Sequence, residues 1–364
     1  MSKMKITFVV PMLSLHGGHR VIAIYAQKLR SFGHDVTIVT NKPEVATGLR
    51  RIKGVVTGRE NPEAKRADST YYRPIMDKLI ELPKKGPIDP DLIPDADVIV
   101  ATWWRTAFSV AALPQNKGKQ FYFIQHHEVH DHLPWDISRG SYFLPLRKIV
   151  ISDWLAEKMA GQYDDPNVVK IENSVDTDLF HAEPRERNTV PRVGFLYAKT
   201  HFKGVDITLR AIELARQKFP DLEVIAFGTE DPAAPLSLPK LAKFHKSPAQ
   251  DQLRALYASC DVWLCGSRLE GFHLPPLEAM ACRCPVVSTR VGGATEIVTE
   301  GVNGHIVDVE DAEALAQRLT QVLQKSPTEW RAMSDAAHAR AISYSWDDAA
   351  RKLESELETA LGDT

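Results

Sequence analysis

Residues 5–40 read Lys5-Ile-Thr-Phe-Val-Val10, then a bend with Gly17-Gly18, then Ile22, Ala26 and Leu29 at helical spacing, a stop at Gly33, and Val36-Thr-Ile-Val39. Strand, glycine bend, helix and strand in so short a span form a βαβ unit. Its two strands run parallel, and its crossover is right-handed. The rhythm restarts after residue 190. Strands are predicted at 193–196, 223–227, 262–265 and 285–288, and helices at 206–218, 252–258, 276–281 and 310–324. Between the two series, residues 181–192 are polar and hold two prolines, which suits a domain boundary.

A chain of 364 residues has room for two such domains. The expected class is α/β, with two Rossmann-like, doubly wound parallel-sheet domains at 1–183 and 190–344 facing each other across a cleft. Further short apolar runs at 98–101, 121–124 and 148–151 are buried strands of the first sheet. A last helix is expected from Ser345, a good N-cap, with Trp346, Ala350, Leu353, Leu357 and Leu361 as its apolar stripe.

Charge excludes some partners. Lys and Arg number 45 against 47 Asp and Glu, so no overall field draws this chain to nucleic acid. Residues 42–90 differ locally, with eleven Lys or Arg against seven acids, and with Tyr71 and Tyr72 among them. A solvated insertion is the favoured reading. The alternative is a peripheral contact with a membrane or an anionic acceptor. The N-terminus enters a strand at once, and no apolar run approaches the ~20 residues that cross a bilayer. Cys260, Cys265, Cys282 and Cys284 lack zinc or disulfide-framework spacing, and read as buried reduced thiols of a cytoplasmic protein.

The densest chemical signal is Ser267-Arg-Leu-Glu-Gly-Phe-His-Leu-Pro-Pro-Leu-Glu278, followed by Gly292-Gly293 and Gly301-Val-Asn-Gly304. A strand ends near Cys265, a glycine-bearing loop follows, and a helix opens at Pro275-Pro276. Free N–H groups of Gly271, Phe272, His273 and Leu274 and the positive helix end then suit a phosphate. Glu270 and Glu278 flank that place, and a carboxylate accepts from two hydroxyls of a sugar diol. Alone, each glutamate reads as a surface charge; the loop and helix around them raise the pair above that.

This stretch resembles the E-x7-E signature of the retaining GT-B glycosyltransferases of family 4, with Glu270 and Glu278 at the signature positions. Gly17-Gly18 looks like that family's N-terminal glycine loop, and Ile151-Ser-Asp-Trp-Leu and Glu172-Asn-Ser-Val-Asp-Thr-Asp-Leu-Phe180 like the segments that end its first domain. Tyr344-Ser-Trp346 resembles the start of its closing helix, so 345–364 is expected to pack back on the first domain. The resemblance implies a transferase that moves a sugar from a nucleotide-sugar donor to a glycan or lipid-linked acceptor, in polysaccharide or envelope glycan synthesis, with no obligatory metal or other cofactor.

It also implies roles. Lys203 matches the phosphate-binding lysine. Phe195 stands where an arginine is usual, and Lys199 is the substitute cation, weighed equally against an exposed loop lysine. Glu278 would hold the ribose, Glu270 the donor sugar, and the loop N–H groups the phosphates. His273 replaces a frequent glycine, where a side chain narrows the pocket or touches the donor. The histidine near the reacting carbon is His126 in the first reading and His127 in the second, with Gln125 a third candidate. Arg105 lies on the acceptor side.

Other readings compete with these. His126, His127, Glu128, His130, Asp131 and His132 have metal-ligand density but no known ligand spacing. Asp89-Pro-Asp91 and Asp95-Ala-Asp97 are discounted as chance pairs in turns. A sugar-nucleotide epimerase of the same fold, or a glycan-binding protein without catalysis, would use the same donor site. A dinucleotide dehydrogenase is poorer, because neither half has G-x-G-x-x-G after its first strand.

Overall fold

The structure is a computed structural model that describes residues 3–13, 17–42, 70–83, 87–130 and 133–362. It divides into two compact units, one of Met1–Ile151, Leu155–Ile171 and Trp346–Thr364, the other of Ser152–Trp154 and Glu172–Ser345.

In the first unit, β1 (Lys5–Val9), β2 (Asp35–Asn41), β3 (Leu79–Leu82), β4 (Val98–Ala101), β5 (Lys119–Ile124), β6 (Arg147–Val150) and β7 (Val169–Lys170) form one sheet in the order β3-β2-β1-β4-β5-β6-β7. All of its pairings are parallel. Helix α1 (Gly17–Ser31) buries Ile22, Tyr25, Ala26 and Leu29. Helices α2 (Trp104–Ala111), α3 (Trp135–Gly140) and α4 (Asp153–Tyr163) follow β4, β5 and β6.

In the second unit the strands are β8 (Arg192–Leu196), β9 (Glu223–Gly228), β10 (Lys243–Lys246), β11 (Val262–Cys265), β12 (Val286–Thr289) and β13 (Gly304–Val307), ordered β10-β9-β8-β11-β12-β13. They too are all parallel. Its helices are α5 (Val205–Arg216), α6 (Gln250–Ser259), α7 (Leu274–Ala281), α8 (Ala294–Ile297), α9 (Ala312–Gln324) and α10 (Pro327–Ile342). The core gathers Val193, Phe195, Ile212, Leu264, Leu319 and Trp330. Helix α11 (Trp346–Gly362) belongs to the first unit, where Trp346 meets Tyr25 edge-on with ring centroids 5.5 Å apart.

The doubly wound α/β reading therefore holds in both units. Each strand order reverses direction once, between β1 and β4 and again between β8 and β11. Crossovers leave such a pair toward opposite faces, which opens a crevice beyond the carboxyl ends where ligands bind in this fold class.

Two details depart from expectation. Strand β3 and the 3-10 helix Thr70–Lys78 lie within the stretch expected to be a solvated insertion. Tyr72 there is fully buried, with its hydroxyl 3.3 Å from His19 Nδ1, and Gln27 donates to the carbonyl of Tyr71. Residues 43–69 and 84–86, which hold most of the basic stretch proposed for membrane contact, lie outside the described residues. Among those described, no helix is long and apolar enough to cross a membrane.

Candidate functional site

The switch point of the second unit is built by two loops. After β8 the chain makes a short 3-10 turn at His201–Lys203 and enters α5 through Gly204, which is left-handed at φ 55°. A Cβ at Gly204 would stand 1.8 Å from the carbonyl oxygen of Gly266, so only glycine lets the loops after β8 and β11 touch. Arg268 N–H donates to the carbonyl of Phe202 at 2.7 Å, and Gly266 N–H donates to Thr208 Oγ1 at 3.1 Å. From outside, the Arg268 guanidinium forks onto Asp206 and also pairs with Glu310.

Inside that frame Lys203 meets Glu270. Lys203 Nζ donates to both carboxylate oxygens, at 2.9 and 3.0 Å, and Ser267 Oγ donates to Glu270 Oε1 at 2.9 Å. Glu270 is buried, and a buried carboxylate needs such partners. Below the loop, Gly292 (φ 45°) leaves no room for a side chain, because a Cβ there would lie 2.5 Å from the carbonyls of Glu270 and Gly271.

Gly271 and Phe272 carry the chain to His273, the residue before α7. His273 is left-handed, at φ 76° and ψ 66°, a conformation that favours glycine. Its imidazole is buried with Nε2 3.6 Å from Glu270 Oε1. Burial pushes its pKa down to about 4; Glu270 opposes the shift, and Lys203 adds to it. Helix α7 begins at Leu274, one residue before the prolines. Pro275 and Pro276 have no N–H, so the loop and Leu274 supply most of the backbone donors available to an anion.

Glu278 lies in the second turn of α7, buried, and accepts from Tyr257 Oη at 2.8 Å. Lys199 is exposed, and its backbone N–H donates to Glu230 at 3.1 Å. Phe195, in the usual arginine's place, is a core residue.

The first unit also gathers its candidates beyond carboxyl strand ends. Gly17 and Gly18 form the first turn of α1 rather than a loop; residues 14–16 before them lie outside the described residues. Gln125, just past β5, donates to the carbonyl of Gly18 at 3.1 Å. His126 Nδ1 lies 3.1 Å from the carbonyl of His127. His127 is buried, stacked on Tyr142, with Nε2 2.6 Å from Tyr163 Oη. Burial pushes its pKa down to about 4, helped by the charges of Lys158, His126, His130 and Arg139. Arg105, exposed on α2, lies over the rings of Trp104 and Trp103, at 4.8 and 5.6 Å.

Glu128 ties these groups together. Its carboxyl accepts from the Trp104 N–H at 3.1 Å, and its own N–H donates to Tyr142 Oη, which in turn donates to the carbonyl of His126. Burial pushes the Glu128 pKa up to about 8, against the hydrogen bonds from Trp104 and Trp103.

Sequence reasoning missed Tyr257, Tyr142 and Tyr163, which lie outside any recognisable spacing, gave Ser267 no role of its own within the stretch it opens, and weighed Glu128 only as a metal ligand. Asp131 and His132 of that histidine-rich stretch lie outside the described residues. The Asp pairs are structural. Asp89 caps the 3-10 turn at Pro90–Leu92, Asp95 pairs with Lys117 at 2.8 Å, and Asp97 accepts from the Lys5 N–H. All four cysteines are free and buried; burial raises Cys260 to about 12 and the other three further.

Residues 176–340 match the family described as Glycosyl transferases group 1. A D-inositol 3-phosphate glycosyltransferase of Corynebacterium urealyticum is 31% identical over 175 residues, which are 44% of this chain and 41% of the relative. The O-antigen biosynthesis protein RfbC of Myxococcus xanthus is 30% identical over 270 residues, 72% of this chain and 21% of that protein. The matched stretches thus span less than half the length of these relatives. Among solved structures, sucrose-phosphate synthase from Thermosynechococcus elongatus superposes with a TM-score of 0.72 at 17% identity, covering 100% of both chains. HepE of Anabaena, in complex with UDP and glucose, has a TM-score of 0.72 at 18% identity, covering 98% of this chain and 100% of its own. At such identities the likeness is one of fold. The chain is therefore similar to the glycosyl transferases of group 1 through its second unit, and its fold class is that of the GT-B glycosyltransferases.

Proposed function

We propose that this protein is a retaining glycosyltransferase that takes a sugar from a nucleotide-sugar donor held on the second unit. The observation that carries the reading is the pairing of the partly buried Lys203 with the buried Glu270 in the loops that feed α5 and α7, at the switch point between β8 and β11. A cation, a run of loop N–H groups and a carboxylate meet there. They suit a diphosphate joined to a polyhydroxyl ring, because charge grows on the departing diphosphate as the sugar bond breaks.

In this reading Lys203 and the N–H groups of Gly271, Phe272, His273 and Leu274 hold the phosphates, Glu270 receives sugar hydroxyls, and Glu278 the ribose. Lys199 adds a second cation. Gly17 and Gly18 also serve the donor, while His126 or His127 and Arg105 serve the acceptor, a glycan or lipid-linked sugar of polysaccharide or envelope synthesis. His127 stays neutral and hydrogen-bonded to Tyr163, which suits orientation; His126, only partly buried, is the better placed to face a reactant. Positioning and leaving-group electrostatics supply the rate without an obligatory metal. HepE of Anabaena has been seen with UDP-glucose, and a donor of that class is the one assigned here.

The test follows products. The protein is mixed with UDP-, GDP- and ADP-hexoses and a panel of glycan and lipid-linked acceptors. Nucleoside diphosphate release that needs an acceptor, and falls at least about a hundredfold in Glu270→Ala, is expected. Conversion of the sugar nucleotide to its epimer with no acceptor consumed would replace this reading. Release at the wild-type rate in Glu270→Ala would remove Glu270 from it.

A further inference from the structure

Within the donor loop, His273 carries two costs that a glycine would avoid. Its backbone is left-handed. Its imidazole Nδ1 is buried and has no hydrogen-bond partner. A left-handed conformation strains a non-glycine residue, and a buried polar atom left unbonded has given up water without a replacement. Strain and unsatisfied polar atoms of this kind concentrate where a ligand completes the site.

The ring's surroundings fix which hydrogen bond is missing. Nε2 faces the Glu270 carboxylate at 3.6 Å, and that carboxylate pairs with Lys203 and accepts from Ser267. Burial keeps the ring neutral, so it carries one proton. The proton belongs on Nε2, toward the negative charge, which leaves a lone pair on Nδ1. The missing partner is therefore a donor, an O–H or N–H, and an anionic oxygen does not fit. Neighbouring hydroxyls of one pyranose can be received together, one by Glu270 and the next by this nitrogen.

We propose that His273 is a specificity-determining residue, whose Nδ1 accepts a hydrogen bond from one hydroxyl of the sugar to be transferred. This deepens the donor-site reading and rests on it. The site then selects a hexose with a free hydroxyl beside the one that Glu270 receives, and discriminates against sugars deoxygenated there. A glycine in this position would bind the diphosphate equally well, since the backbone N–H groups remain.

Calorimetry on the whole chain tests this. Wild type, His273→Gly and His273→Asn are titrated with UDP, GDP and ADP, then with their glucose, mannose and N-acetylglucosamine conjugates. The conjugate that binds is followed by its deoxyfluoro forms, in which fluorine replaces one hydroxyl and cannot donate. The expected result has three parts. All three proteins bind the bare diphosphate within about twofold, since no phosphate contact is lost. One fluorinated position weakens wild type about fivefold, the size of one net hydrogen bond. The same fluorine has no effect in His273→Gly, and an intermediate effect in His273→Asn, whose side chain tolerates the left-handed backbone and offers an oxygen. If fluorination at every position acts equally in wild type and His273→Gly, the histidine is filler and the inference is overturned, while the donor site stands. Failure of wild type to bind any diphosphate would overturn the donor site itself, and this inference with it.

Discussion

His127 and His273 are both held neutral by burial, with pKa values of about 4 against an ordinary 6.5. Unfolded, each takes up a proton near pH 6.5; folded, only near 4. The stability they contribute is complete above 6.5 and is lost as the pH falls toward 4. Glu128 works in the opposite direction, since its raised pKa of about 8 makes the folded state prefer the protonated acid. Stability from that group is complete below about 4.5 and is lost as the pH rises through 8. His127→Gln should flatten the fall in Tm between pH 6.5 and 4, and Glu128→Gln the fall between 4.5 and 8. Slopes unchanged in both variants would mean that these side chains reach water in the folded state. At the same scale, Gly204→Ala should cost at least about 2 kcal/mol in a denaturant titration, because its methyl group would collide with a backbone carbonyl. A loss under about 0.5 kcal/mol would show that the two loops do not meet as described.

Elements were legible where one face is clearly apolar. Strands β1, β2, β8, β9, β11 and β12 and helices α1, α5 and α7 fall where their apolar runs predict them, within a residue or two. Strand β10 was missed because it is an edge strand, Lys243-Phe-His-Lys, whose lysines guard the open edge and erase the apolar run. Strand β3 was hidden by the charged residues before it. Helix α10 was missed although Ser326 and Glu329 form a reciprocal capping box, a readable signal, because its buried face holds only two large apolar residues, Trp330 and Met333, beside Ser334, Ala337 and Ala341. Helix α11 was legible as a stripe, yet its polar anchors were not. His34 accepts from the Met4 N–H through Nδ1, so its proton sits on Nε2 and is donated to Glu354 at 2.8 Å, and Lys28 pairs with Asp347. Such pairs join residues more than 300 positions apart, which no local pattern can carry. Leu357 is fully buried on that helix. Leu357→Ala should lower stability by about 2–5 kcal/mol in urea unfolding, and a loss below about 1 kcal/mol would mean that α11 is not docked in solution.

Over the whole molecule, two sheets with the same winding place their chemistry at the same topological point. The fold was readable because repeated strand-and-helix rhythm has few solutions. The candidate site was readable where it lies in one continuous stretch, Ser267 to Glu278, and unreadable where a partner comes from another element, as Tyr257 does for Glu278 and Tyr163 for His127. The central claim is that Lys203 and Glu270 frame a diphosphate-sugar site. Thermal unfolding with and without saturating nucleoside diphosphate tests it most directly, in wild type and in Lys203→Ala. At a hundred times Kd, ligand should stabilise wild type by about 2.7 kcal/mol, a rise of several degrees in Tm. Lys203→Ala, folded but without its cation, should lose most of that rise at the same ligand concentration. A rise of equal size in both proteins, or none in wild type with any diphosphate, would contradict the claim.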